Sequence, residues 1–111
     1  MPIGNPEGQV RGGSTRWWKY SIDGLSGLSA EEWESIHRGF FVGITNEEPN
    51  YVMPLDVMRQ FEDAGSVAEI HPVAISVSGV GTHVNDSIRI GDEMAEYLRS
   101  EEIDGALLVA T

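Results

Sequence analysis

The run VAISVSGVGTHVNDSIRIGDEMAEYLRSEEIDGALLVAT, residues 73–111, decides how this chain reads. V-A-I-S-V-S (73–78) is rich in β-branched residues and has the composition of a strand. S-G-V-G-T-H (78–83) is a glycine-rich turn. Val84, Ile88, Gly91, Ala95 and Leu98 then recur at steps of four and three, with Met94 beside them. That period predicts a helix from about 84 to 100, with Glu93 and Glu96 on its wet side. E-E-I-D-G turns the chain into A-L-L-V-A (106–110), a second apolar run of strand type. Strand, helix and strand at this spacing predict a right-handed βαβ unit with parallel strands. The expected architecture is α/β, an incomplete three-layer Rossmann-like domain with a C-terminal parallel βαβ unit. Sheets of this kind are covered on both faces and normally hold about four to six strands. This sequence offers fewer, and reads as a fragment lacking its C-terminal portion.

Working outward, residues 1–16 are rich in Gly and Pro without periodicity and read as a flexible N-terminal arm, leaving 17–111 as a single α/β domain. W-W-K-Y-S-I (17–22) is either a short strand or an aromatic cover over a core edge. Ser29-Ala30-Glu31-Glu32 has the form of a capping box, which predicts a short helix from Trp33 to about His37. F-F-V-G-I (40–44) reads as a brief strand, ended by T-N-E-E-P-N. Pro54 and Gly65 bracket an amphipathic helix. Its predicted apolar face is Leu55, Met58 and Phe61, with Val57 and Ala64 beside it and Asp56, Arg59 and Glu62 outward.

The 18 acidic residues outweigh 7 basic ones, for a net charge of −11. Such a surface repels phosphate backbones, so no nucleic-acid partner is expected. The one basic cluster, Arg11, Arg16 and Lys19, reads as a solvated arm. With no cysteine, disulfides, thiolate metal sites and thiol nucleophiles are all excluded within these residues. No apolar run approaches the roughly 20 residues of a membrane span, and a cytoplasmic protein is the simplest expectation.

Gly79 and Gly81 match the first two glycines of a dinucleotide-binding turn, but Val84 takes the third place and no acidic residue ends the second strand. A nicotinamide or flavin site is therefore not expected, and a flavodoxin-like nucleotide binder is the weakest reading. The amides of Gly81, Thr82 and His83 at a helix start are suited to an anion such as a carboxylate. His83, on the same turn, is the candidate general acid or base. His37, His71 and His83 lack metal-ligand spacing, so no metal site is expected. No serine sits in a nucleophile elbow. Trp17, Trp18 and Trp33 read as packing residues.

R-W-W-K-Y-S-I-D-G-L (16–25), W-E-S-I-H-R-G-F (33–40), P-N-Y-V-M-P-L-D-V-M-R (49–59), G-V-G-T-H-V-N (79–85), G-D-E-M-A-E-Y-L (91–98) and D-G-A-L-L-V-A-T (104–111) occur in order. Together they resemble the component B selenoprotein of the glycine, sarcosine and betaine reductases, with their D-proline reductase relatives. The resemblance implies reductive cleavage of a substrate C–N bond by a selenocysteine directly after Thr111, which leaves this chain without its nucleophile. It also implies a pyruvoyl group on a partner subunit as the electron-withdrawing cofactor, and none in this chain. By topology and resemblance, Gly79, Gly81, Thr82, His83 and Asn85 would shape the pocket for a small amino-acid substrate. The alternative expectation is a non-catalytic binding or scaffold subunit that completes its sheet with a partner chain. A homo-oligomer is also compatible with the sequence.

Overall fold

Aromatic and β-branched residues form the sheet; burial alternates along the first strand, whereas all four residues of the second are half-buried. In the computed structural model, which describes residues 1–37, 39–78 and 80–110, strand β1 spans Trp18–Ser21 and strand β2 spans Val73–Ser76. They pair antiparallel, with Trp18 opposite Ser76 and Ser21 opposite Val73. Among the described residues this two-stranded sheet is the whole of the sheet structure. The expected parallel βαβ unit and Rossmann-like layering are thus overturned. The sequence identified β2 as a strand but not its partner, which is the aromatic run W-K-Y-S.

The reason lies in the helix that should have closed the crossover. Helix α3 spans Val84–Ser100, close to the predicted limits, but the residue it buries is Ile90. Val84 is 74% exposed and Ile88 59% exposed, so the first half of the predicted apolar stripe faces outward, while Met94, Ala95 and Leu98 are half-buried. Without that stripe on the sheet, nothing returns residues 106–110 to the free edge of β2. A lone added strand would also bury too little to offset its backbone ordering. A-L-L-V-A carries no secondary structure, and Leu107, Leu108 and Val109 are exposed.

Two more local expectations fail for identifiable reasons. F-F-V-G-I does not form a strand; helix α1 spans Val42–Glu47, followed by a 3-10 turn at Pro49–Tyr51. A short apolar run is ambiguous by period alone. The capping residues at Ser29 make a single turn, in which the Ser29 carbonyl accepts from the Glu32 and Trp33 amides at 3.1 and 2.9 Å. The chain then leaves the helical path because Trp33 bridges antiparallel to Pro2.

Helix α2 spans Leu55–Asp63, with Pro54 as its N-cap. Leu55 joins Tyr20, Ile22, Leu28 and Trp33 in the core, where the Tyr20 and Trp33 rings meet edge to face. Arg59, expected outward, turns in: its Nε donates to the Leu25 carbonyl at 2.9 Å and its Nη2 to the Ile22 carbonyl at 3.1 Å. Glu62 follows it and accepts from the Ile70 amide at 2.7 Å. Asn50 stands in for a missing strand, with Oδ1 accepting from the Leu28 amide and Nδ2 donating to the Leu28 carbonyl.

Residues 1–16 carry a 3-10 turn at Pro6–Gln9 and are held against this body. Glu7 is 2% exposed, and Gly13 approaches Gly81 so closely that a Cβ on it would lie 3.0 Å from the Gly81 carbonyl oxygen.

Candidate functional site

Four distant stretches of sequence meet at one end of the sheet. Ser76 ends β2, Ser78 follows it, and Glu7 and Arg11 come in from the N-terminal segment. His37 approaches from the stretch after Trp33, and Val109 and Ala110 close another side. Between them lies a cleft of about 390 Å³.

Its floor is organised by the Glu7 carboxylate. Oε1 accepts from Ser76 Oγ at 2.7 Å, and Oε2 accepts from the Tyr20 hydroxyl. Asn5 Oδ1 accepts from the Glu7 amide at 3.0 Å and lies 3.1 Å from the same Tyr20 hydroxyl. The Glu7 carbonyl accepts from Ser78 Oγ at 3.3 Å. Burial first, then the hydrogen bond and charge of Glu7, push the Tyr20 phenol far above its ordinary range. Tyr20 is therefore a neutral donor throughout the physiological range. A buried carboxylate needs such donors, because an unsatisfied one is expensive. Ser76, committed to Glu7, is not poised as a nucleophile.

His37 is the unspent group of the cleft. Its ring stands edge-on to Phe40 at 6.0 Å between centroids. Its Nδ1 is buried, with no hydrogen-bond partner among the described residues. Arg11 is the cationic side chain among the described lining residues, and its Nη1 donates to the Gly8 carbonyl at 3.1 Å. The exposed Arg11 guanidinium and the carboxylates of buried Glu7 and of Glu34 line the same cleft, which gives it charges of both signs, the pattern that complements a zwitterion.

Of the predicted site residues that the structure describes, Gly81, Thr82, His83 and Asn85 are not among those lining this cleft. Gly79 falls outside the described residues, as does Thr111. Gly81 has φ +68°, a conformation that favours glycine, and is exposed. Thr82 Oγ1 accepts from the Ser14 amide at 2.9 Å and so ties the turn to the N-terminal segment. His83 is the exposed N-cap of α3 with no side-chain cap bond, and Asn85 is exposed on its first turn. Val80, from the same turn, does line the cleft. No group of three or more His, Cys, Asp or Glu suited to a metal ion occurs among the described residues. No helix among them is long and apolar enough to cross a membrane.

The family model for the glycine/sarcosine/betaine reductase selenoprotein B matches residues 1–111, the whole chain. The chain belongs to this selenoprotein B family. A glycine reductase complex component B subunit gamma from Peptoclostridium litorale is 33% identical over 111 residues, covering all of this chain and 26% of the relative. A betaine reductase complex component B subunit beta from Peptoclostridium acidaminophilum is 30% identical over the same length, covering 25% of that relative. A D-proline reductase subunit gamma from Acetoanaerobium sticklandii is 32% identical over 75 residues, 67% of this chain and 31% of the relative. The chain thus spans about a quarter of the length of the component B relatives, which are named as subunits of complexes. No solved structure matches.

Family membership throws the missed residues into relief. His37 stands in W-E-S-I-H-R-G-F and Ala110 in D-G-A-L-L-V-A-T, two of the stretches that carry the resemblance. Glu7 and Arg11 stand within P-E-G and R-G-G in a stretch with no periodicity, and only the folded chain singles them out, Glu7 by its burial and Arg11 by its place on the cleft.

Proposed function

We propose that this chain forms part of the substrate cleft of a cytoplasmic component B reductase, one that reductively cleaves the C–N bond of glycine, sarcosine, betaine or D-proline. The observation that carries this reading is that Val109 and Ala110, from the D-G-A-L-L-V-A-T stretch, line the same cleft as Glu7, Arg11 and His37. In this reading Arg11 holds the substrate carboxylate and the field of buried Glu7 favours the cationic nitrogen. His37, with Nδ1 free of internal bonds, orients the substrate or exchanges a proton with it.

The nucleophile belongs to a longer product, as a selenocysteine directly after Thr111, close to the cleft-lining Ala110. A selenolate there would be a strong nucleophile at neutral pH for the reason that low-pKa thiolates are. The 111-residue chain contains no cysteine to replace it and is expected to bind without turnover. A pyruvoyl group on a partner subunit would supply the electron-withdrawing chemistry. The cleft suits a group brought by another chain, because Phe40 and Val80 line it and remain exposed.

Calorimetric titration of the 111-residue chain with glycine, sarcosine, betaine and D-proline tests the binding half. Binding of at least one of them, weakened tenfold or more in both Arg11→Gln and His37→Ala, supports the reading. Absence of binding, or binding indifferent to both substitutions, removes the cleft from the assignment. The coding sequence beyond codon 111 tests the chemical half: an in-frame UGA followed by further coding sequence is expected.

A further inference from the structure

The surface of this molecule is too large and too apolar for a finished monomer. A folded monomer of this mass exposes about 6,100 Å². This chain exposes 7455 Å². The difference, roughly 1,400 Å², exceeds the about 800 Å² that one partner buries in a standard protein–protein interface. The radius of gyration agrees, at 14.4 Å against about 13.2 Å for a compact domain of this length.

Exposed apolar side chains include Phe41 and Tyr51, and one group of them is continuous along the chain. Val84 and Ile88 stand one turn apart on the outer side of α3, at 74% and 59% exposure. Leu107 and Leu108 follow that helix at 60% and 86%, in a stretch (104–110) that makes no backbone hydrogen bond among the described residues. Unpaired backbone flanked by leucines is a surface that seeks cover.

Charge and length choose the occupant. A second copy brings another −11 charges, and such self-repulsion disfavours association of copies. The component B relatives carry a stretch that matches this whole chain as about a quarter of one polypeptide, so each has three further quarters in the same chain available to cover such faces. We infer that the outer face of α3 around Val84 and Ile88, together with Leu107 and Leu108, is the docking surface for the part of a family-length component B polypeptide that this chain does not span. The inference rests on family membership and not on the substrate cleft, so it stands or falls separately from the proposed activity.

The test is a chimaera in which this chain replaces the matching stretch of the Peptoclostridium litorale component B subunit gamma. Hydrogen exchange is read peptide by peptide. Amides of residues 106–110 should exchange near the intrinsic rate in the isolated chain and at least 100-fold more slowly in the chimaera. Ile88→Asp and Leu108→Asp should lower the melting midpoint of the chimaera and leave that of the isolated chain unchanged. Fast exchange of 106–110 in a cooperatively melting chimaera overturns the inference. So does an isolated chain that sediments as a dimer with these residues protected, since the occupant is then a second copy. Should the chimaera not fold, the separately expressed remainder is mixed with the chain. A one-to-one complex sensitive to Leu108→Asp supports the inference, and its absence overturns it.

Discussion

Helices α2 and α3 are fastened to the molecule by the same device, and the difference between them lies underneath it. In α2, Arg59 donates to two loop carbonyls and pairs with Glu62, which in turn accepts from the Ile70 amide. In α3, Arg89 donates to the Thr15 carbonyl and pairs with Glu93, which accepts from Trp17 Nε1. Both helices end in a Schellman motif, closed by bonds from Ser66 to Phe61 and from Ile103 to Leu98. Yet α2 also drives Leu55 into the main core, whereas the buried residue of α3, Ile90, lies outside that cluster. Polar clamps set where a helix lies, but the apolar anchor beneath decides how firmly it is held there.

That contrast can be broken by substitution. The largest expected effect is Leu55→Ala, a loss of about 4 kcal/mol, with Ile90→Ala costing about 2 kcal/mol. Denaturant melts of the two variants measure the gap, and equal losses would mean that α3 is anchored as well as α2. Arg59→Ala comes next, at about 1.5 kcal/mol, because it strands two carbonyls in a half-buried setting. Arg89→Ala, at an exposed position, should leave the melt unchanged within error.

Titration sharpens the comparison further. The Arg59 hydrogen bond, helped by the Ile70 amide, lowers the Glu62 carboxyl, and the Arg89 hydrogen bond, helped by Trp17, lowers that of Glu93. A carboxyl depressed in the folded state contributes stability that is present above its unfolded value and lost as the pH falls through its folded one. Stability should therefore decline on acidification below about pH 4.5, the ordinary value of both groups. Melts against pH should show a shallower decline in Arg59→Ala and little change of slope in Arg89→Ala, where solvent screens the exposed pair. Tyr20 works in the opposite sense. Its raised value means that its contribution is present below pH 10.0 and is lost above it. The alkaline decline should weaken in Tyr20→Phe.

The smallest measurable change expected is a gain. At the C-terminus of α2 the left-handed residue is Gly65, at φ +73°, but in α3 it is Glu102, at φ +55°. A side chain in that conformation is strained, so Glu102→Gly should stabilise by about 0.5–1 kcal/mol. An unchanged melting midpoint would show that the end of α3 frays and contributes little.

Local pattern made the two longer helices and strand β2 legible and left β1 as one of two readings, because amphipathic period and β-branched composition act within a few residues. Register and partner were not legible. V-A-I-S states that it is a strand and leaves open whether W-K-Y-S or A-L-L-V-A lies beside it. The facing of α2 was misread because an arginine counts as polar in a periodicity argument, although its guanidinium serves loop carbonyls inside. The cleft was hidden for a related reason. Two of its charged groups, Glu7 and Arg11, come from a stretch near the N-terminus that no period marks, and the glycine turn contributes Val80 in place of His83.

The Glu7 bridge couples folding to recognition. Its carboxylate is satisfied only when strand pairing brings Tyr20 on β1 and Ser76 on β2 together as diagonal neighbours, so the cleft has no existence apart from the paired sheet. Any small molecule held there draws on the same equilibrium as strand pairing, and saturating amounts of it should raise the melting temperature of the whole molecule.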